Sequence, residues 1–268
     1  DDMERPDCQE KILKARHHGQ AGNPATKTIS CLYTNAGSLL GKMDDLRVRV
    51  GEEKIDIIGI TESWGREEVR DAELAVDGYA MYRVDRKRSS GGGVILFVRD
   101  ELKSVVDEEL TGSGFEDTVW CSVHLKGVRL LVGLCYRSTA SGAENGAKLL
   151  ELIERATAKV GAGQLLLMGD FNYPRLYGEG QTFDVGNSVA EDVVFHQKTQ
   201  ELLLVQNILR DTRHRGQQRP SLLDLVFTVE DNLVQNVRYE EPLGKSDHVV
   251  LMFDLALGDE EEIQQSKK

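Results

Sequence analysis

The sequence predicts an α/β (α+β) layered sandwich, in which two mixed β-sheets pack face to face with helices outside. Three observations carry this reading. Short apolar runs ended by Gly, Asn or Asp recur along the chain and read as core strands. Some of these runs neighbour each other as hairpins while others alternate with amphipathic helical segments, which does not suit a purely parallel doubly wound sheet. Polar, chemically capable residues also recur just past the ends of these strands, the rim at which α/β folds bind ligands.

Taken in order, residues 1–27 are polar and mixed in charge, with a break at Gly22-Asn23-Pro24, and are expected to form a disordered leader. Thr28 to Tyr33 is the first strand, ending in Asn35-Ala36-Gly37-Ser38. Leu39, Met43, Leu46 and Val50 recur at helical spacing. Ile55 to Ile60 is a second core strand and delivers Thr61-Glu62-Ser63-Trp64. Tyr79 to Arg83 and Gly93 to Arg99 read as a strand pair around the loop from Asp85 to Gly92. Trp120 to Leu125 and Val128 to Tyr136 flank Lys126-Gly127, a hairpin turn. Leu149, Leu152, Ile153, Ala156 and Val160 mark an amphipathic helix. Leu165 to Met168 then forms a strand that runs into Gly169-Asp170-Phe171-Asn172. Phe195, Thr199, Leu202 and Leu203 mark another helix. Strands follow at Leu222 to Thr228, Val234 to Tyr239 and Val249 to Leu255, the last directly after Lys245-Ser246-Asp247-His248. The domain is expected to span residues 28–257, with a polar tail over 258–268.

At 268 residues and 40% hydrophobic, the chain has ample material for a core. Its formal net charge of -12 argues against a non-specific nucleic-acid coat but leaves room for a local basic patch. Cys31, Cys121 and Cys135 lie in strand-like runs, which suits buried free thiols in a reducing compartment rather than secretion, and Cys8 lies in the polar leader. No apolar run is long enough to span a bilayer, so no membrane contact is expected.

The strand-end residues form a constellation. Asn35, Glu62, Tyr136, Asp170, Asn172, Asp224, Asp247 and His248 would all collect at one end of the sandwich. Carboxylates converging there repel one another and are tolerated when a cation sits among them. Without a Cys or His set for zinc, oxygen ligands point to Mg²⁺ or Mn²⁺. One histidine beside carboxylates suggests an Asp–His pair, and Asn and Tyr supply neutral donors for an anionic oxygen. Together these groups suit phosphodiester hydrolysis.

In this order, Asn35, Thr61-Glu62, Tyr136, Gly169-Asp170-Phe171-Asn172, Ser221-Leu222-Leu223-Asp224 and Ser246-Asp247-His248 resemble the endonuclease/exonuclease/phosphatase superfamily. The phrases Cys31-Leu32-Tyr33-Thr34-Asn35, Ile58 to Trp64, Asp77-Gly78-Tyr79, Gly91 to Val94, Val132 to Arg137 and Leu223 to Phe227 are similar to the apurinic-type endonuclease domain of non-LTR (LINE) retrotransposons, in a chicken-repeat-like clade. The resemblance covers about residues 29 to 257. It implies that Glu62 holds the metal with Asp247 nearby, and that Asp170 positions or deprotonates the attacking water. Asn172, Asn35 and Tyr136 hold the scissile phosphate. His248, paired with Asp224, stabilises charge or relays a proton. The implied activity nicks one strand of double-stranded DNA and leaves a 3′ hydroxyl that primes reverse transcription. A nuclear protein is implied (cytoplasmic before import), with a reverse transcriptase domain in a parent polyprotein.

There are departures from the pattern. Gly37 stands where repair-type relatives carry a metal-binding acid, which argues against an abasic-site preference. Ser138-Thr139 replace the clade's prolines, and Arg175 to Gly186 diverges. Such departures suit a drifted or host-adopted copy, so a catalytically silent binding module is one alternative and a phosphatase of the same superfamily another. Two basic loops offer DNA contact, Arg86-Lys87-Arg88 before three glycines, and Arg210 to Arg219 with Arg213, Arg215 and Arg219 just before the Asp224 strand. The resemblance implies that the second loop probes a DNA groove.

Overall fold

The computed structural model describes residues 27–257, apart from 87–90, 126, 141, 175 and 177–189. The expected leader (but for Lys27), the polar tail, Cys8, Lys126 of the expected turn and most of the divergent segment therefore lie outside the described residues.

Strand β1 (Lys27–Asn35) leads through a 3-10 turn, Leu40–Lys42, into helix α1 (Met43–Glu52) and back to β2 (Ile57–Thr61). A one-turn helix α2 (Asp71–Leu74) precedes the hairpin of β3 (Tyr79–Val84) and β4 (Val94–Arg99). The chain then crosses to the second sheet with β5 (Ser104–Val106), the short α3 (Glu108–Thr111), β6 (Thr118–Leu125) and β7 (Val128–Tyr136). Helix α4 (Ala143–Val160) returns to β8 (Gln164–Asp170), and α5 (Glu191–Glu201) leads to β9 (Val205–Gln206) and β10 (Asp224–Thr228). Last come β11 (Val234–Glu240) and β12 (Val250–Leu257), back in the first sheet.

The strand orders are β11-β12-β1-β2-β4-β3 and β5-β6-β7-β8-β10-β9. Each sheet holds one parallel pair, β1 with β2 and β7 with β8, where a helical crossover connects the strands. The other pairings are antiparallel, so both sheets are mixed, as the sequence predicts. Their inner faces share one core: Cys31 and Tyr33 of β1, Leu134 of β7 and Met168 of β8 all belong to it. A second cluster, with Leu32, Ile58, Phe97, Met43 and Leu46, seals α1 against the outer face of the first sheet.

Strand β8 is buried along its whole length, which explains its unbroken apolar run. Beyond it, Phe171 packs against Phe195 of α5 at 5.3 Å and edge-on against Phe227 of β10 at 5.6 Å. Each such ring contributes about 1.5–3 kcal/mol by burial. Gly169 is set by close approach, because a Cβ there would lie 2.0 Å from the carbonyl oxygen of Cys135 on β7. Register then aligns the chemistry, since Asp170 stands opposite both Tyr136 and Asp224 and Asn35 stands opposite Thr61. Cys31, Cys121 and Cys135 are free and buried, as expected.

Candidate active site

The strand-end residues meet at one rim. A pocket of about 460 Å³ is lined by Asn35, Glu62, Tyr136, Asp170, Asn172, Asp247 and His248, together with Gly37, Trp64, Thr139, Arg213, Arg215, Lys245 and Ser246. Asp224 sits directly behind it and is buried.

Asn35 ends β1 and bridges two acids. Its amide nitrogen donates to Glu62 Oε1 at 3.1 Å and to Asp170 Oδ2 at 2.9 Å, while its oxygen accepts from the Gly37 N–H at 3.0 Å. Gly37 can turn there because its φ is 47°. Both amide hydrogens of Asn35 thus serve the acids. Asp170 is fixed on its other oxygen by the Asn172 N–H at 3.1 Å. Burial, reinforced by the neighbouring Asp224 charge, holds its carboxyl well above the usual carboxylate range.

Asn172 is left-handed at φ 51°, a conformation Asn tolerates. Arg137 holds it there: the Asn172 side-chain amide donates to the Arg137 carbonyl at 2.7 Å, and Arg137 Nη1 reaches the Asn172 carbonyl at 3.4 Å. The Arg137 guanidinium is buried, pairs with Glu191 and lies 4.2 Å from the centroid of the Tyr173 ring.

The Asp–His pair forms as expected. His248 Nδ1 lies 2.7 Å from Asp224 Oδ2, and both side chains are nearly enclosed. The other Asp224 oxygen accepts from the Tyr33 hydroxyl at 2.8 Å. Burial alone would lower the His248 pKa, but the Asp224 carboxylate outweighs it and raises the ring to about 9. His248 therefore stands charged at neutral pH. Its outer nitrogen, Nε2, is 3.9 Å from Asp247 Oδ1. Asp247 in turn accepts from Arg213 Nε at 3.0 Å. Burial raises its pKa, but the charges of His248 and Arg213 prevail and keep it ionised.

Tyr136 is buried with its hydroxyl among these acids. Burial and then the Glu62 charge push its pKa up, so it stands as a neutral donor. Under its ring lies Arg86, whose guanidinium is 5.7 Å from the centroid and pairs with the buried Asp117. Arg86 is thus a support for the Tyr136 wall, not a free loop cation as the charge run suggests. Lys87 and Arg88 lie outside the described residues. Arg213 likewise faces the pocket through Asp247. Arg215 and Arg219 stay exposed on a hairpin closed by Arg213 and Ser221, at 3.0 and 3.2 Å.

The site includes residues that sequence reasoning missed. Tyr33 lies two positions before Asn35 on the same strand face, a signal that could have found it. Trp64 donates from its indole Nε1 to Glu62 Oε2 at 3.0 Å. Lys42 clamps the first turn by donating to the carbonyls of Ala36 and of Gly37, the latter at 3.0 Å. Ser246 donates to the Asn35 carbonyl at 2.7 Å and accepts from the His248 N–H at 3.2 Å.

The donor set fits a hard divalent cation. Asp224 is paired with His248 and Asp247 with Arg213, whereas Glu62 faces the pocket with neutral donors, the Asn35 amide and the Trp64 indole, on its oxygens, a group that suits a hard cation. Asp170, Asp224 and His248 meet the geometry of a metal group, with ligand atoms within 4.8 Å of one another. Asp224, however, is buried behind the pocket and bound to Tyr33 and His248, and the charged imidazole has no lone pair for a metal. Glu62, at the pocket wall, keeps unused lone pairs.

Two mixed sheets enclosing this acid–amide–imidazole rim form a layered sandwich of the endonuclease/exonuclease/phosphatase type. The family model for endonuclease-reverse transcriptase proteins matches residues 130–252. The fold is similar to that of the endonuclease domain of TRAS1, a telomere-specific non-LTR retrotransposon, at 20% identity and TM-score 0.66, covering 86% of this chain and 100% of that one. It is also similar to the AP endonuclease LMAP from Leishmania major, at 14% identity and TM-score 0.70, covering 96% and 92%. A third similar structure is the 3′ phosphatase NExo from Neisseria, at 15% identity and TM-score 0.63, covering 85% and 99%. No curated protein sequence matches the chain. No helix among the described residues is long and apolar enough to cross a membrane.

Proposed function

We propose that this protein is a metal-dependent DNA endonuclease of the non-LTR retrotransposon type, with its catalytic domain over residues 28–257. It nicks one strand by phosphodiester hydrolysis and leaves a 3′ hydroxyl. The observation that carries the proposal is the geometry of the rim: Asp170, held between the Asn35 amide and the Asn172 N–H, and His248, 2.7 Å from Asp224, line one pocket. A base and a charged donor in one pocket are what water attack on a phosphodiester needs.

In this scheme Glu62, with Asp247 nearby, holds Mg²⁺ or Mn²⁺. When bound, the cation supplies Lewis-acid stabilisation of charge on the phosphoryl oxygens. Asp170 accepts a proton from the attacking water, held in place by Asn35 and by the Asn172 N–H. The second hydrogen of the Asn172 amide and the Tyr136 hydroxyl donate to the phosphate. His248 donates from Nε2 to the developing anionic oxygen. Asn35 acts as an orienting group rather than a direct phosphate donor, because its hydrogens are spent on Glu62 and Asp170. The DNA-primed chemistry of a parent polyprotein and a nuclear site of action belong to the same reading.

The test is nicking of supercoiled plasmid with Mg²⁺, with and without excess chelator. Conversion to open circles that chelator abolishes is expected, with nicked ends that a polymerase extends directly. Phosphate release from a 3′-phosphorylated end without nicking would favour the phosphatase reading, and inactivity with intact DNA binding the silent module.

The exposed loop carries a separate prediction. Since Arg213 is committed to Asp247, Arg215 and Arg219 are the residues free to meet DNA. Replacing both with alanine should reduce the log–log salt slope of binding by about one unit for each phosphate no longer neutralised. It should also scatter the cut positions, because groove contacts select deformable steps. An unchanged slope with an identical cleavage ladder would mean the loop is only solvated.

A further inference from the structure

Trp64 stands at the pocket wall and is 45% exposed. Its backbone is left-handed at φ 53°, and Glu62, two residues earlier, is left-handed at φ 48°. Bulky residues are outliers there, and such strain persists only where the surroundings enforce it. Here the glycine loop enforces it: Ser63 N–H donates to the Gly93 carbonyl at 3.2 Å and Trp64 N–H to the Gly92 carbonyl at 3.0 Å. The two turns fold the indole back over the preceding acid, so that Nε1 meets Glu62 Oε2 at 3.0 Å. Gly91 borders that edge of the indole, a Cβ there lying in ordinary contact with Nε1 at 3.6 Å.

We propose that Trp64 is a positioning residue for the cation ligand Glu62, its indole N–H fixing one carboxylate oxygen while Asn35 fixes the other. This rests on the reading of Glu62 as the ligand. A carboxylate offers about four lone-pair directions. The indole and the amide take one on each oxygen, which leaves the others in a set orientation toward the pocket. Partners that orient a ligand in this way typically change metal affinity about 10- to 100-fold when removed. An indole also gives a donor that cannot accept, so it offers the cation no lone pair of its own and leaves ligation to the carboxylate.

The chain has only two tryptophans, and Trp120 is fully buried in the core. The two indole N–H signals in a ¹⁵N NMR spectrum therefore separate the roles. Adding Mg²⁺ without DNA should move the Trp64 indole signal with the midpoint of metal binding and leave that of Trp120 still. The Mg²⁺ midpoint, followed on backbone amides around the pocket, should weaken about 10- to 100-fold in Trp64→Phe, which keeps the ring and removes the donor. Glu62→Gln should abolish that binding. An unmoved Trp64 signal, or an unchanged midpoint in Trp64→Phe while Glu62→Gln loses binding, overturns the proposal and leaves Glu62 as ligand. Wild-type binding by Glu62→Gln overturns both.

Discussion

Asp170→Asn is expected to reduce nicking by about 10²- to 10⁴-fold, the range a positioned general base contributes. The amide is nearly isosteric and its oxygen still accepts from the Asn172 N–H, so the turn survives, while its NH₂ end gives up the bond that Asp170 Oδ2 accepts from Asn35. What it cannot do is take a proton from water. Burial raises the proton affinity of the wild-type carboxyl, and substitution removes that together with the acceptor for the Asn35 amide. Single-turnover rates on a nicked-circle assay check this, with circular dichroism confirming the fold. A rate within a few-fold of wild type would show that the proton goes elsewhere.

The second large effect belongs to Asp224→Asn. Burial pulls the His248 pKa down and the Asp224 carboxylate pulls it up to about 9. With the charge removed, burial is opposed only by the weaker influence of Asp170 and Asp247, and the ring should titrate well below 9. NMR of the ring in metal-free protein measures this directly. Because the folded value is raised, the pair's contribution to stability is complete below the ordinary imidazole pKa near 6.5. It is lost as pH rises through about 9. The stability gap between wild type and Asp224→Asn should therefore be widest near pH 6 and shrink toward pH 9 and above. Activity should fall with it, and its alkaline limb should move to lower pH. An unshifted ring pKa would mean that the 2.7 Å contact does not govern the imidazole.

The sandwich was legible because its long strands announce themselves. Leu165 to Met168 is unbroken and apolar, since β8 is buried along its whole length, and Leu149 to Val160 has helical period because only one stripe of α4 faces the sheet. The rim residues were legible for the same reason, each being the polar residue that ends an apolar run. Short elements were not. The two residues of β9 and the single turns α2 and α3 are too brief to show a period, and tertiary contacts rather than propensity hold them. Strand β5 pairs at the sheet edge with an exposed Val105, so it lacks the apolar run of a core strand.

Partners distant in sequence were equally hidden. Tyr33 reaches Asp224 across 191 positions, and nothing local in either segment marks the contact. Arg86 opens a basic run that reads as solvated, yet Asp117 waits 31 positions later to bury it. Trp64 looked like part of a phrase rather than a side chain with work to do, because its role depends on two left-handed residues that sequence does not display. The departure at Gly37 acquires a physical context: the space beside it is bordered by the Lys42 ammonium, 4.0 Å from where a Cβ would be.

The central claim is that water held by Asp170 attacks phosphorus and expels the 3′ oxygen. Nicking a duplex of defined sequence in H₂¹⁸O, under single-turnover conditions, tests it most directly by mass spectrometry of the two new ends. One ¹⁸O in the new 5′-phosphate, opposite an unlabelled 3′ hydroxyl, is the predicted result. A 3′-phosphate end, or a 5′-phosphate without the label, would contradict it.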